Sequence, residues 1–280
     1  MATRFMTFVD GSNLFGTMKH LNVRVDHYDR LYRHIFELAV KQWQSTFSAA
    51  GATAQHVRTY WYVVGSMDDW RLEDPKAQIH LRERFDQDEE VRKWWLREAG
   101  TTLAAASKPT DQRAVANEAW AMCFADFKGW YEKKQRILRG MDRFHYAVEA
   151  STDFIELCRV GRWKVNFLHK SLDEKGLDTS FAVDMVGLAS AYDVALLITG
   201  DADGIPSVSH VKQLGKHVGV VEFLKGYPPE KRGKNSASQL KVAADFVVQV
   251  YEMELVKSGI ATSGEPTMDT PDDGKAIGTD

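Results

Sequence analysis

Two cysteines, Cys123 and Cys158, are all the thiol chemistry in 280 residues. Both lie in helical-looking context, and two thiols alone cannot complete a four-ligand zinc site. A reduced, cytoplasmic protein is the expectation that follows. Long apolar runs are absent as well. None approaches the roughly 20 residues that a membrane span requires, so no membrane-spanning segment is expected. The start, Met1-Ala2-Thr3-Arg4-Phe5, leads straight into a strand-like run without the apolar core of a signal peptide. Nor does charge of one sign dominate: 36 basic residues against 39 acidic ones leave −3. Any contact with nucleic acid must therefore come from local basic patches, not from a global field. No internal repeat is present. What is there, 44% hydrophobic and 27% charged residues, is ordinary globular composition.

The strand-like runs are Thr7-Phe8-Val9, Val57 to Val64 (stopping at Gly65), Trp163 to Leu168, Val194 to Ile198, His217 to Phe223 and Phe246 to Val250. The fourth is apolar without alternation, as expected of a strand buried on both faces of a parallel sheet. Apolar or aromatic positions at Tyr28, Leu31, Tyr32, Ile35, Leu38 and Ala39 carry helical spacing. A second helix is expected over about Thr179 to Ala191, and a third ends near Leu214-Gly215. Strands alternating with helices argue an α/β fold with right-handed crossovers.

Between the second and third runs that rhythm stops. Residues 66 to about 160 hold no strand-like run, and five of the eight tryptophans fall there: Trp70, Trp94, Trp95, Trp120 and Trp130. Helices are expected over about 74–98, 111–139 and 142–159, broken by Gly100 to Pro109 and by Gly140. A stretch this long is a helical insertion (66–143), not a loop. Its tryptophans either pack the insertion or form a stacking platform for bases. From Ser258 to Asp280, Gly, Thr, Asp and Pro dominate, which predicts an acidic, disordered tail.

The chemistry-bearing residues are acids at strand ends. Asp10 closes the first run, and Asp201 and Asp203 follow the fourth in Thr199-Gly200-Asp201-Ala202-Asp203-Gly204. Ligands of open parallel sheets bind outside the carboxyl ends of the strands, where strand order reverses. A helix feeding the fourth strand starts at that same edge and brings Asp178 and Asp184 toward it. Four or five carboxylates gathered there repel one another unless a divalent cation such as Mg²⁺ neutralises them, and two such ions would organise hydrolysis of a phosphodiester. Each piece also has a plainer reading. Asp10-Gly11-Ser12-Asn13 fits a turn and helix cap, Asp178 fits an N-cap, and Asp203 before Pro206 fits another.

Several segments together resemble the NYN domain, a family within the PIN-like nucleases. They are Phe8-Val9-Asp10-Gly11-Ser12-Asn13-Leu14, Lys175-Gly176-Leu177-Asp178 with Ala182-Val183-Asp184-Met185, Tyr192 through Asp203, and Leu214-Gly215-Lys216. Leu240 with Ala243-Ala244-Asp245-Phe246 resembles the family's closing segment. The resemblance covers about 1–65 and 144–252. It implies a three-layer α/β/α PIN-like core (1–65 and 144–255) with a central, mostly parallel sheet. It also implies Mg²⁺ or Mn²⁺ and cleavage of single-stranded or structured RNA. Carried onto this chain, it implies Asp10, Asp178, Asp184, Asp201 and Asp203 as catalytic acids, with Asp10, Asp184, Asp201 and Asp203 as metal ligands. Asn13 and Ser12 would support them. The chain departs from the family in having Gly204 where an aromatic is common, and in the insertion itself.

Cations that reach phosphate are expected at Lys170 and Lys175 and along Lys225, Lys231, Arg232, Lys234 and Lys241. Of these, Lys175, Lys231, Arg232 and Lys234 are the expected RNA contacts. A solvated loop is the plainer reading of that run. The insertion carries its own basic cluster, Lys133, Lys134, Arg136 and Arg139, and its tryptophans make a homodimer a further expectation. A haloacid-dehalogenase site is excluded because Asp201-Ala202-Asp203 follows the fourth strand, not the first. An EF-hand is excluded because no closing Glu follows Gly204. A PIN-like module that binds RNA or protein without cutting remains the non-enzymatic alternative.

Overall fold

The apolar runs assemble into an α/β structure around a seven-stranded sheet. The computed structural model describes residues 2–229 and 238–264. The first elements are β1 (Thr3–Asp10), α1 (Gly11–Leu21), β2 (Val23–Val25), α2 (Tyr28–Thr46) and β3 (Ala54–Met67). They are followed by α3 (Pro75–Gln87), α4 (Glu89–Ala105), α5 (Gln112–Ser151), β4 (Ile155–Asn166) and β5 (Ser171–Lys175). Then come α6 (Leu177–Gly187), β6 (Val194–Ile198), α7 (Ile205–Gln213), β7 (His217–Leu224), α8 (Ser238–Ala243), β8 (Phe246–Tyr251), α9 (Glu252–Lys257) and β9 (Ala261–Ser263).

Strand order is β5-β4-β3-β1-β6-β7-β8, and β1 lies parallel to both β3 and β6. The pairs β6–β7 and β7–β8 are parallel too. From β1 the chain proceeds to β3 on one side and later places β6 on the other. The topological switch therefore falls at β1 and β6, the position where such sheets hold ligands. Alternate residues of β1 explain why both faces are covered. Phe5 packs edge-on against Phe36 and Trp43 of α2, at 5.5 and 5.7 Å. Phe8 points the other way, 6.1 Å from Phe181 of α6. All five residues of β6 are buried, which is why its sequence shows no alternation.

The chain divides into two compact units. Among the described residues the first comprises 2–66, 141–162, 174–229 and 238–264. Its core holds Val9, Leu196, Val248 and Trp61, and the Trp61 ring lies 4.8 Å from Tyr28 and 5.6 Å from Phe15. Within it β2 and β9 form a separate antiparallel ribbon. The second takes Met67–Gly140 together with Trp163–Asp173. Its core is its own: Leu81, Phe85, Ala99, Phe127 and Phe167, with Phe127 and Phe167 edge-to-face at 4.4 Å. Trp95 is buried in that core, and Trp70, Trp120 and Trp130 pack against it. Packing therefore accounts for these four tryptophans. Trp94 remains 38% exposed, edge-on to Trp95 at 4.5 Å.

Several local expectations are corrected. Gly140 does not break a helix: α5 runs 40 residues through it. A single glycine costs only about 1 kcal/mol in a helix interior, too little to end one this long. The break lies instead inside the expected 74–98 helix, at Asp88, whose carboxylate accepts from the Val91 N–H and caps α4. Residues 155–159 are strand, so Cys158 sits on β4 and not on a helix. Gly65 does not end β3, which continues to Met67. Within the expected tail, Ala261–Ser263 pair with β2, and 265–280 lie outside the described residues.

Candidate active site

Asp10 is the last residue of β1, opposite Tyr62 of β3 and one place beyond the Val9–Ile198 pair with β6. It is also the N-cap of α1. Its Oδ1 accepts from the Asn13 N–H at 3.0 Å, and its Oδ2 accepts from the Asn13 side-chain amide. The Thr199 hydroxyl donates to the same Oδ2 at 3.4 Å. The carboxylate is buried and held from three directions. The residue that follows must be glycine. A Cβ on Gly11 would stand 2.6 Å from the Tyr62 carbonyl oxygen and 2.9 Å from the Trp61 indole nitrogen.

The turn after β6 continues this arrangement. The Asp201 N–H donates to Thr199 Oγ1 at 3.1 Å, and Asp201 Oδ1 accepts from the Asp203 N–H at 3.0 Å. Asp10, Thr199, Asp201 and Asp203 thus form one hydrogen-bonded chain around the switch point. Asp203 does not cap α7; Gly204 holds that position without a side-chain bond. Asp178 is not a cap either. The N-cap of α6 is Gly176, at φ 89° in the left-handed region that glycine tolerates. Asp178 sits in the first turn. Partial burial raises its pKa above the usual carboxylate range, and the charges of Asp10, Asp201 and Asp203 raise it further. These four acids share one rim.

Glu174, absent from the expected set, joins them. Its Oε2 accepts from the Ser12 hydroxyl at 2.6 Å. Its pKa is raised by withdrawal from water, lowered by the Ser12 bond, and raised by Asp10 and Asp178. Because the residue keeps an exposed surface, the burial contribution counts for little and the like charges carry the argument. Asp184 is placed differently. Six residues along α6 from Asp178, it accepts from the Tyr62 hydroxyl at 2.9 Å. Burial first, then Cys158 and Asp184, push the Tyr62 phenol upward, so it stays a donor.

The expected cations divide in three. Lys175 and Lys225 are exposed, Lys175 next to Glu174 in the chain. Lys170 is engaged by Asp126 at 2.7 Å, and Lys241 by the buried Glu222. Partnered this way, they are poor phosphate ligands. Lys231, Arg232 and Lys234 lie outside the described residues. In the insertion's cluster Lys134 is buried beneath the Trp130 ring.

Among the described residues no three His, Cys, Asp or Glu side chains are gathered closely enough to hold a metal ion as they stand. The donor set nonetheless suits a hard divalent cation: all its members are carboxylates, and their mutual repulsion is what such an ion relieves. Among the described residues no helix is long and apolar enough to cross a membrane.

The NYN domain family model matches residues 121–251. That segment contains Glu174, Asp178, Asp184, Asp201 and Asp203, whereas Asp10, Ser12 and Asn13 precede it. No curated protein matches this chain. A crystal structure of a protein of unknown function from Vibrio parahaemolyticus is similar at 15% identity, covering 90% of this chain and 94% of that one, with a TM-score of 0.41.

Proposed function

We propose, on the match of residues 121–251 to the NYN domain model of a PIN-like nuclease family, that the chain is a metal-dependent ribonuclease. The observation that carries this reading is the chain Asp10–Thr199–Asp201–Asp203, which lines the switch point with acids held by neighbouring hydroxyl and amide groups. Asp10, Asp178, Asp201 and Asp203 are the oxygen donors that would hold Mg²⁺ or Mn²⁺. Such an ion supplies Lewis acidity toward a phosphodiester oxygen. Asn13 and Thr199 fix the direction of the Asp10 carboxylate. The Asp203 N–H, donating to Asp201 Oδ1, fixes the direction of the Asp201 carboxylate. Glu174, steadied by Ser12, adds a fifth carboxylate. Asp184 acts one step back, holding α6 to Tyr62 so that Asp178 meets the rim. Lys175, with Lys231, Arg232 and Lys234, meets the RNA backbone. The setting is a reducing cytoplasm, consistent with free Cys123 and Cys158.

The test is cleavage of labelled RNA with Mn²⁺, Mg²⁺ or chelator, in wild type and in Asp10→Asn and Asp201→Asn. Both variants are expected to melt normally and to lose more activity than the roughly 10–100-fold typical of outer partners of a metal site. An inactive wild type that still binds RNA would instead leave a non-cutting PIN-like module. For the backbone contacts, Lys175→Ala in the Asp201→Asn background should flatten the slope of log K against log salt by about 0.7.

A further inference from the structure

The two edge strands of the sheet have opposite characters. β5 reads Ser-Leu-Asp-Glu-Lys and carries charge at Asp173, Glu174 and Lys175. Charge on an edge strand discourages another strand from adding to it. β8 reads Phe-Val-Val-Gln-Val-Tyr, six residues without charge or proline, in unbroken register with β7. Among the described residues no strand lies along its outer side. An uncharged, β-branched edge of this kind is a template for a further strand.

What distinguishes one occupant from another is the charge beside that edge. A groove along it is lined by Lys41 and Gln42 of α2, Val247, Gln249 and Tyr251 of β8, and Glu254 of α9. Lys41 lies toward the amino end of the strand. Two residues on, Trp43 donates its indole N–H to His217 at 2.8 Å, and His217 opens β7, which runs parallel to β8. Glu254 lies past the carboxyl end, in the first turn of α9. Neither side chain has an ion-pair partner among the described residues.

We propose that the outer edge of β8 is a homodimer interface, formed by antiparallel pairing of β8 with β8 of a second copy about a two-fold axis through mid-strand. Antiparallel pairing sets the amino end of each strand against the carboxyl end of the other. Lys41 of each copy then faces Glu254 of its partner copy, and the match occurs twice because a two-fold interface uses the same patch from both sides. The backbone edge supplies the ladder, and the lysine–glutamate pairs fix its direction and register. A parallel arrangement would set Lys41 against Lys41 and is disfavoured. Since β6 and β7 separate β8 from β1, the pairing leaves the acidic rim of each copy open.

The test uses the full chain in sedimentation equilibrium at micromolar concentrations, with melting curves as a control on folding. Wild type is expected to dimerise. Lys41→Glu and Glu254→Lys should each weaken dimerisation by at least about tenfold, because each places two like-charged pairs in the interface. The double variant, Lys41→Glu with Glu254→Lys, should recover wild-type affinity within about threefold. Hydrogen exchange gives a second readout: the Phe246–Tyr251 amides should gain protection as protein concentration rises. A wild type that stays monomeric, a dimer indifferent to both single changes, or a double variant no better than the singles would each overturn the proposal.

Discussion

The Tyr62 hydroxyl donates to Asp184 across 2.9 Å, joining β3 to α6 beside the residue that ends β1. A hydrogen bond to a charged acceptor contributes about 1.5–3 kcal/mol. Tyr62→Phe should therefore lower unfolding stability by about that amount and leave the rim acids in place. Asp184→Asn keeps an acceptor oxygen and should cost less. On the positioning role assigned to Asp184, its amide variant retains more cleavage than Asp10→Asn. Denaturant titrations paired with cleavage rates check both, and equal losses of activity would move Asp184 among the direct ligands.

Gly11→Ala is a change of one methyl group at the crowded start of α1. The added carbon would press on the Tyr62 carbonyl and the Trp61 ring, and backbone cannot yield as a flexible side chain can. Overpacking of this kind costs about 1–3 kcal/mol, and the shift displaces the neighbouring Asp10. Reduced melting temperature together with reduced cleavage is expected. A variant that loses neither would show that the strand–helix turn tolerates displacement.

β6 is legible in the sequence because burial on both faces leaves an unbroken apolar run, and the end of β1 because Phe8-Val9 stops at the turn residues Asp10-Gly11-Ser12-Asn13. α2 is legible because its buried face recurs at Leu31, Ile35 and Ala39. α1 is signalled only by the cap reading of Asp10-Gly11-Ser12-Asn13, because its opening residues favour turns and its cap belongs to a strand. The rim acids are visible as strand-end positions, yet Glu174 is not. Nothing local marks it, and only the tertiary approach of Ser12 reveals its place. Asp184 shows the reverse: sequence spacing groups it with Asp178, while the structure pairs it with Tyr62.

Acid should weaken the fold through two histidines, His56 and His145. His56 lies 3.2 Å from the Thr7 and Thr59 hydroxyls, and burial, then Arg33, lower its pKa to about 4. His145 is fully enclosed, and burial, then Arg159, lower it to about 4. Both are neutral in the fold, whereas the unfolded chain protonates them near 6.5. The unfolded state thus binds more protons between pH 6.5 and 4, and stability falls as pH drops through that window. Each histidine contributes at most about 1.4 kcal/mol per pH unit there. Melting measured at pH 7, 6, 5 and 4 should show the decline, and His56→Gln should make it shallower. Asp193, which Arg4 holds at about 2, enters only below the window.

Phe167 supplies a separate check on the second unit. It packs against Phe127 at 4.4 Å and is almost wholly buried. Phe167→Ala should cost about 3–5 kcal/mol, registered in hydrogen exchange as lost protection across α3, α4 and the part of α5 before Gly140. Unchanged protection there would separate 163–173 from that core.

The second unit draws on 67–140 and again on 163–173, with 141–162 of the first unit between them. Its ancestry is constrained accordingly. A single crossover that carried 67–140 into a related gene would bring Phe127 without Phe167, delivering a core missing one of its largest members. Transfer of 67–140 alone would therefore not carry the whole core of the unit. Its two segments then have to change together, because Phe127 comes from one and Phe167 from the other.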